Sequence, residues 1–382
     1  GSWPTDRGFD RFFGTLSGGG GFWKKNIRGV FLDTDPIELA DDFYYTHAIT
    51  DHAVRFIKEH DSKKPLFLYL AHYAPHRPLE APKERIDAVR ARYENGSEVI
   101  RKARFQKQVE LGILPKGSVY PQRAHQTGEK PTPAWDELTA KQQKAWVEEM
   151  ATYAAMVEIM DDGIGEVMAT MKEKGLHDNT VYIFLSDNGA TMEGGMISQI
   201  AAEVSNVPYR GYKKSNYLGG IASPLVVALP EPSEVGEIAS QPVHITDLVP
   251  TCLELAGVEY PSSFREQEVS PPTGSSLLPV IEGGILPARD FFFEHASFSS
   301  IISGDWKLVR GDKGKPWELY HLADDPFEQV ELSNKHADIA KRLKQSWHEW
   351  AEANHVLPIN HTSWNQRIDH FTKKNPDQDG VD

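Results

Sequence analysis

Cysteine is nearly absent from this chain: Cys252 is the only one in 382 residues. An internal disulfide is therefore impossible, and so is a zinc cluster built on several thiolates. No apolar run approaches the ~20 residues that a membrane-spanning helix needs. A basic stripe is missing too. With 41 Lys and Arg against 55 Asp and Glu, the formal charge of −14 speaks against nucleic acid or an anionic membrane as a partner. An anionic ligand would have to be met by a few local cations. The chain opens Gly1-Ser2-Trp3-Pro4, without an initiating methionine or a signal peptide, and this reads as a start inside a longer protein.

What is present is an ordinary globular composition, 40% hydrophobic with 17 Phe, 13 Tyr and 9 Trp. A chain of this length buries enough surface for one large domain and a smaller one. Strand and helix signals alternate along it. Leu66 to Ala71 is a continuous apolar run after Pro65, the pattern of a strand covered on both faces. Ala48, Ile49, Ala53, Phe56 and Ile57 before it repeat at helical spacing. A second helical face runs through Val147, Met150, Ala154, Val157, Met160, Ile164, Val167, Met168 and Met171, and Gly175 closes it. Further strands are expected at Val181 and at Leu225 to Leu229. Between these and the C-terminal part, Thr246 or Asp247 should cap a short helix, Leu248 to Ala256, that buries Cys252.

Residues 1–285 read as the core, with an irregular insertion or flap at 83–145 in which Arg90 to Gln108 is helical. Residues 286–356 carry short strands at Phe291–Phe293, Ser300 to Val309 and Trp317 to Leu322, covered by a helix through Ile339, Leu343, Trp347 and Trp350. Residues 357–382 are a polar tail. The expected class is α/β, a mixed central sheet flanked by helices, with a smaller C-terminal α+β subdomain.

The chemistry concentrates at Ser186-Asp187-Asn188-Gly189-Ala190, directly behind the run Thr180 to Leu185. In open α/β sheets ligands bind beyond the carboxyl ends of strands. Carboxylate and amide oxygens there suit a hard cation, Ca²⁺ or Mg²⁺. The same residues are also a common turn, so local signals leave both readings open.

Several ordered motifs give the stretch a context: Pro4-Thr5-Asp6-Arg7-Gly8-Phe9-Asp10, Ala74-Pro75-His76-Arg77-Pro78-Leu79, Arg92-Tyr93-Glu94-Asn95-Gly96, Leu111-Gly112-Ile113-Leu114-Pro115, Lys213 to Gly220 and Gly304-Asp305-Trp306-Lys307-Leu308. On these the chain resembles a sulfatase of the alkaline phosphatase superfamily, arylsulfatase type, over nearly its whole length. The resemblance implies hydrolysis of a sulfate monoester, of a small molecule or a sulfated glycan, by a formylglycine nucleophile. It also implies that Asp187 and Asn188 are ligands of a Ca²⁺ acting as Lewis acid. His76 would assist the leaving oxygen, and Lys213, or its neighbour Lys214, would contact sulfate oxygens.

Two features depart from the family pattern. Leu218 stands where an acid is expected before Gly219-Gly220. The Cys/Ser-x-Pro-x-Arg motif that yields formylglycine has no counterpart: Cys252 lacks the proline and arginine, and Ser270-Pro271-Pro272-Thr273-Gly274 ends in Gly. The paired early aspartates and the upstream Lys and His of the sulfate clamp are missing as well. The expectation is therefore a chain with part of an active site, inactive alone, in which His76, Asp187, Asn188 and Lys213 converge. Phosphonate or phosphate ester hydrolysis on the same frame, and a noncatalytic binding protein, are the alternatives. A periplasmic or secreted location is the family expectation; Asn95-Gly96-Ser97 and Asn360-His361-Thr362 fit the glycosylation sequon.

Overall fold

The computed structural model describes residues 3–18, 20–122, 131–230, 236–264, 266–295, 297–311 and 314–357. The polar tail beyond 357, with Asn360, lies outside the described residues.

A small antiparallel sheet, unanticipated from the pattern, comes first: β1 (Phe13–Thr15), β2 (Val30–Leu32) and β3 (Asp35–Pro36). Two or three residues per strand are too few for an apolar alternation to show. Next, α1 (Tyr45–Glu59) buries Tyr45, Ile49, Ala53, Val54 and Ile57, the expected spacing.

The run Leu66 to Ala71 joins no hydrogen-bonded ladder among the described residues, a departure from the expected strand. Its alternation is nevertheless strand-like. Leu66, Leu68 and Leu70 pack on Val54, Ile57, Val167 and Met171, while Phe67 and Tyr69 stay 65% and 72% exposed. One face is covered where two were expected.

The helix expected from Arg90 to Gln108 is instead two, α2 (Lys83–Arg90) and α3 (Ser97–Glu110). Gly96 separates them at φ +92°, where a Cβ would come within 2.7 Å of the Trp135 indole. A left-handed residue against a ring admits only glycine and stops the helix.

The long helix α4 (Ala140–Glu173) starts where Thr139 and Gln142 cap each other, Gln142 N donating to Thr139 Oγ1 and Thr139 N to Gln142 Oε1. It ends at Gly175, φ +69°, with Leu176 N donating to Met171 O. Its buried face runs through Trp146, Met150, Ala151, Ala155, Met156, Ile159, Met160, Val167 and Met171. Relative to the expected stripe this face is rotated and wider, with Val157, Ile164 and Met168 only half-buried. Small residues explain the shift. Gly163 brings α4 so close to α1 that a Cβ there would meet Thr50 Oγ1 at 2.2 Å, and α2 packs along the same helix.

Strand β4 (Tyr182–Leu185) follows, then α5 (Met196–Ser205), the one-turn α6 (Leu218–Ile221) and β5 (Leu225–Ala228). β4 and β5 pair antiparallel, Phe184 opposite Val226 and Leu185 opposite Leu225. In α7 (Leu248–Leu255) the expected cap is absent: the Asp247 carboxylate makes no cap bond and instead accepts from His244 N and Ser275 N and pairs with Arg289. Those partners hold the carboxylate below its ordinary range in spite of its burial. Cys252 is half-buried rather than buried, and burial pushes its thiol up.

A two-stranded ribbon, β6 (Ser263–Phe264) and β7 (Gln267–Glu268), and α8 (Leu278–Ile281) lead to the C-terminal unit. There β8 (Phe291–His295), β9 (Phe298–Ser303), β10 (Trp306–Arg310) and β11 (Trp317–His321) form one antiparallel sheet in sequential order. The single strand expected at Ser300 to Val309 is a hairpin that turns at Gly304, φ +56°. Helix α9 (Ala337–Ala353) lays Leu343, Trp347 and Ala351 on Ile301, Leu308 and Leu319. The class is the expected α/β with a C-terminal α+β unit. Among the described residues, the expected mixed central sheet is represented by the antiparallel pair β4–β5.

Candidate active site

The loop after β4 folds on itself before meeting anything else. Ser186 Oγ donates to Asn188 O, and Asn188 Nδ2 donates to Asp187 Oδ1 at 3.0 Å. Gly189 N donates to Gly220 O, and the approach is so close that a Cβ on Gly189 would fall 1.7 Å from Gly219 O. A side chain there cannot be accommodated, so the glycine of the Asp-Asn-Gly sequence serves close backbone packing.

Asn206, at the end of α5, ties two segments together. Its Oδ1 accepts from Ala190 N and its Nδ2 donates to Gly211 O, both at 2.9 Å. Lys213 N then donates to Ala190 O, also at 2.9 Å. These bonds place the backbone of Lys213 beside the Asp187–Ala190 loop.

His76 arrives from the Ala74–Leu79 segment, and its Nε2 lies 3.0 Å from Lys213 Nζ across 137 residues of sequence. Nδ1 is 2.7 Å from Arg77 O. A carbonyl only accepts and an ammonium only donates, so the neutral tautomer with its proton on Nδ1 satisfies both. Tyr73 stacks on the imidazole with centroids 5.3 Å apart. Arg77 is anchored by Glu149 of α4 and Ser198 of α5.

Of the two lysines, Lys213 is the one that reaches His76, and Lys214, at φ +79° in the left-handed region, turns to another partner. Lys214 Nζ pairs with Glu193 Oε1 at 2.5 Å, and that bond, with Lys213 and His76 adding to it, holds the Glu193 carboxyl below its ordinary range. Three cations therefore gather here with different partners. Arg77 is matched by Glu149 and Lys214 by Glu193, whereas among the described residues Lys213 has no carboxylate in ion-pair range. In a chain of charge −14, Lys213 is a local cation left to meet an anion.

Asp187 is exposed and Asn188 half-exposed at the end of β4. Their oxygens are the hard donors a Ca²⁺ or Mg²⁺ takes, and Asp187 Oδ2 has no hydrogen-bond partner among the described residues. Two residues do not complete a shell of six to eight oxygens. No group of three or more His, Cys, Asp or Glu suited to a metal occurs among the described residues.

Of the four residues singled out by sequence, His76 and Lys213 meet, and the backbone of Lys213 is bonded to the loop that carries Asp187 and Asn188. Reasoning from sequence missed Asn206, Tyr73 and Glu149. Asn206 carries no local signal; Arg77, inside the Pro-rich motif, carried one that was not assigned a role.

Comparison with known proteins completes the picture. Residues 2–258 match the model of the family described as Sulfatase. An uncharacterized sulfatase of Schizosaccharomyces pombe is 31% identical over 90% of this chain and 71% of its own length. An arylsulfatase of Klebsiella aerogenes is 31% identical over 72% of this chain and 66% of its own. Arylsulfatase J of Mus musculus is 25% identical over 89% of this chain and 56% of its own, so the chain spans only part of the length of these relatives. Among solved structures, Ps i-CgsB in complex with k-i-k-neocarrahexaose superposes with a TM-score of 0.67 at 21% identity, over 97% of this chain and 73% of that one. BT4656, solved with its substrate D-glucosamine-2-N,6-O-disulfate, gives 0.62 at 21% identity, over 92% and 77%.

Proposed function

The chain belongs to the sulfatase family, and from that premise we propose that it carries the leaving-group and anion-contacting side of a sulfuric ester hydrolase site. The observation that supports this most is the contact between His76 Nε2 and Lys213 Nζ beside the Asp187–Ala190 loop. The net reaction adds water to a sulfate monoester and gives the free alcohol and sulfate. The substrate class is a sulfated small molecule or glycan.

Each residue meets a different part of that change. As the ester S–O bond breaks, negative charge grows on the departing oxygen, and an imidazole at this place can deliver a proton to it from Nε2. That proton comes to Nε2 from solvent, so Lys213 keeps its charge. Lys213 faces the nonbridging sulfate oxygens, where a preorganised cation lowers the energy of the developing charge. Arg77, through its carbonyl, holds the imidazole orientation.

Asp187 and Asn188 would hold a Ca²⁺, which when bound supplies Lewis-acid polarisation of the ester. The family's formylglycine nucleophile has no candidate precursor among the residues gathered at this site, so on this reading residues 1–382 alone do not turn over an aryl sulfate.

The test uses the chain joined to a segment that carries the aldehyde nucleophile, assayed with aryl sulfates of graded leaving-group pKa. His76→Ala should lower kcat by about 10²–10⁴-fold for poor leaving groups and much less for good ones, since only the former depend on protonation. Equal losses across the series would end the leaving-group role. A substrate panel in which phosphonate esters outrun sulfate esters would move the site to the other ester class.

A further inference from the structure

Lys213 lies on a short loop that closes on itself and is gripped from outside. Gly219 N donates to Arg210 O at 2.7 Å, and Cβ atoms on Gly219 and Gly220 would collide with Gly211 O and Ser215 O. Residues 210–220 are therefore a tight backbone knot with little internal slack. Displacing its base moves Lys213 as well.

Both ends of the knot are held by carboxylates of the C-terminal unit. Arg210 Nη1 donates to Glu318 Oε2 at 3.2 Å and to Tyr320 Oη at 2.6 Å. The Tyr217 hydroxyl, fully buried, donates to the same Glu318 oxygen at 2.8 Å. Leu218 N donates to Glu328 Oε2 at 2.8 Å. The other oxygen of Glu328 is 2.8 Å from Lys307 Nζ, and both of those side chains are buried. Taking two charges out of water costs several kcal/mol, which an apolar pair of similar shape would not. What the ion pair adds is a charged acceptor, fixed in direction, for the amide of Leu218.

We propose that Glu328, fixed by Lys307, is a positioning residue for Lys213: by holding the base of the 210–220 knot it sets the Lys213–His76 contact. The proposal rests on the reading of Lys213 as the cation that meets the sulfate group. Leu218, which stands where the family pattern has an acid, enters through its backbone amide and not its side chain.

The experiment follows the His76 ring nitrogens by ¹⁵N NMR in residues 1–382, with inorganic sulfate as the probe, in four proteins: wild type, Lys213→Ala, Glu328→Gln, and Glu328→Gln combined with Lys307→Met. Glu328→Gln leaves Lys307 buried without its counter-charge, so the Nε2 resonance should move toward its Lys213→Ala position and sulfate should bind about tenfold more weakly. The double variant removes both charges, keeps an amide oxygen for Leu218, and should restore both readouts. A Glu328→Gln protein that melts earlier with His76 and sulfate affinity unchanged would show the pair to be structural only, and so would a double variant that fails to restore them. If Glu328→Gln does not fold, Lys307→Met/Glu328→Gln is compared with Lys307→Met/Glu328→Leu, which differ in the acceptor offered to Leu218; identical His76 spectra overturn the proposal. Unchanged sulfate affinity in Lys213→Ala would remove the anion-contact reading, while the His76 resonance still decides the positioning question.

Discussion

His72 lies four residues before His76, and both of its ring nitrogens are shut from solvent without a hydrogen-bond partner among the described residues. Burial pushes its pKa down to about 4. An unfolded histidine titrates near ~6.5. Between these values the unfolded chain binds a proton that the folded chain refuses. The stabilisation is therefore complete above pH ~6.5 and is lost as pH falls toward ~4, by roughly 3 kcal/mol. His72→Phe should flatten the fall in thermal midpoint across that window. Matching slopes in both proteins would assign the loss elsewhere, for instance to His52 or His244, which burial also lowers. At this scale sequence read well what motifs name and poorly what geometry selects. Asp187, Asn188, His76 and Lys213 stood out by type and order, but which of Lys213 and Lys214 faces His76 depends on partners distant in sequence, His76 for one and Glu193 for the other, that adjacent residue letters do not reveal.

Among the elements, α4 shows what periodicity can and cannot give. Its apolar face from Val147 and its glycine stop were legible because a 3.6-residue repeat persists over many turns and Gly175 carries its own signal, whereas its first turns and the Thr139–Gln142 cap fell inside the 83–145 segment read as an irregular insertion. Its rotation was not legible, since it depends on how closely α1 and α2 approach. Two glycines in this helix make that testable. A methyl on Gly165 meets nothing within 4 Å, whereas one on Gly163 meets Thr50. Gly165→Ala should stabilise by ~0.5–1 kcal/mol through helix propensity, and Gly163→Ala should destabilise by ~1–3 kcal/mol through overpacking. Urea denaturation of both distinguishes the cases; stabilisation by each would mean that α1 and α4 are not in contact at Gly163. The short strands failed for a different reason. Leu66 to Ala71 has the burial alternation of a strand but no ladder among the described residues, and a ladder is a property of two segments at once.

For the molecule as a whole, large apolar side chains stand exposed on two strand-like segments. Phe67 and Tyr69 on the unladdered run point away from the side that packs on α1 and α4, and the cross-strand pair Phe184 and Val226 is 43% and 57% exposed. Exposed large apolar side chains bind hydrophobic dyes and promote association. Residues 1–382 should enhance anilinonaphthalene sulfonate fluorescence, and Phe184→Lys with Val226→Lys should reduce it without a change in far-UV circular dichroism. A wild-type chain as dark to the dye as a typical folded monomer would mean that these side chains are covered.

The grip of Glu328 on Leu218 also orders events in time. The two residues are 110 positions apart, so on a ribosome adding ~10 residues per second Leu218 waits on the order of ten seconds for its partner. Over that interval α1, α4 and the His76 segment, all earlier in the chain, can already be folded, while the lysine knot lacks its outer support. The site is thus a late product of synthesis, completed from its C-terminal end. In stalled nascent chains released at increasing lengths, protection of the Leu218 amide from hydrogen exchange should appear only once residue 328 has cleared the exit tunnel.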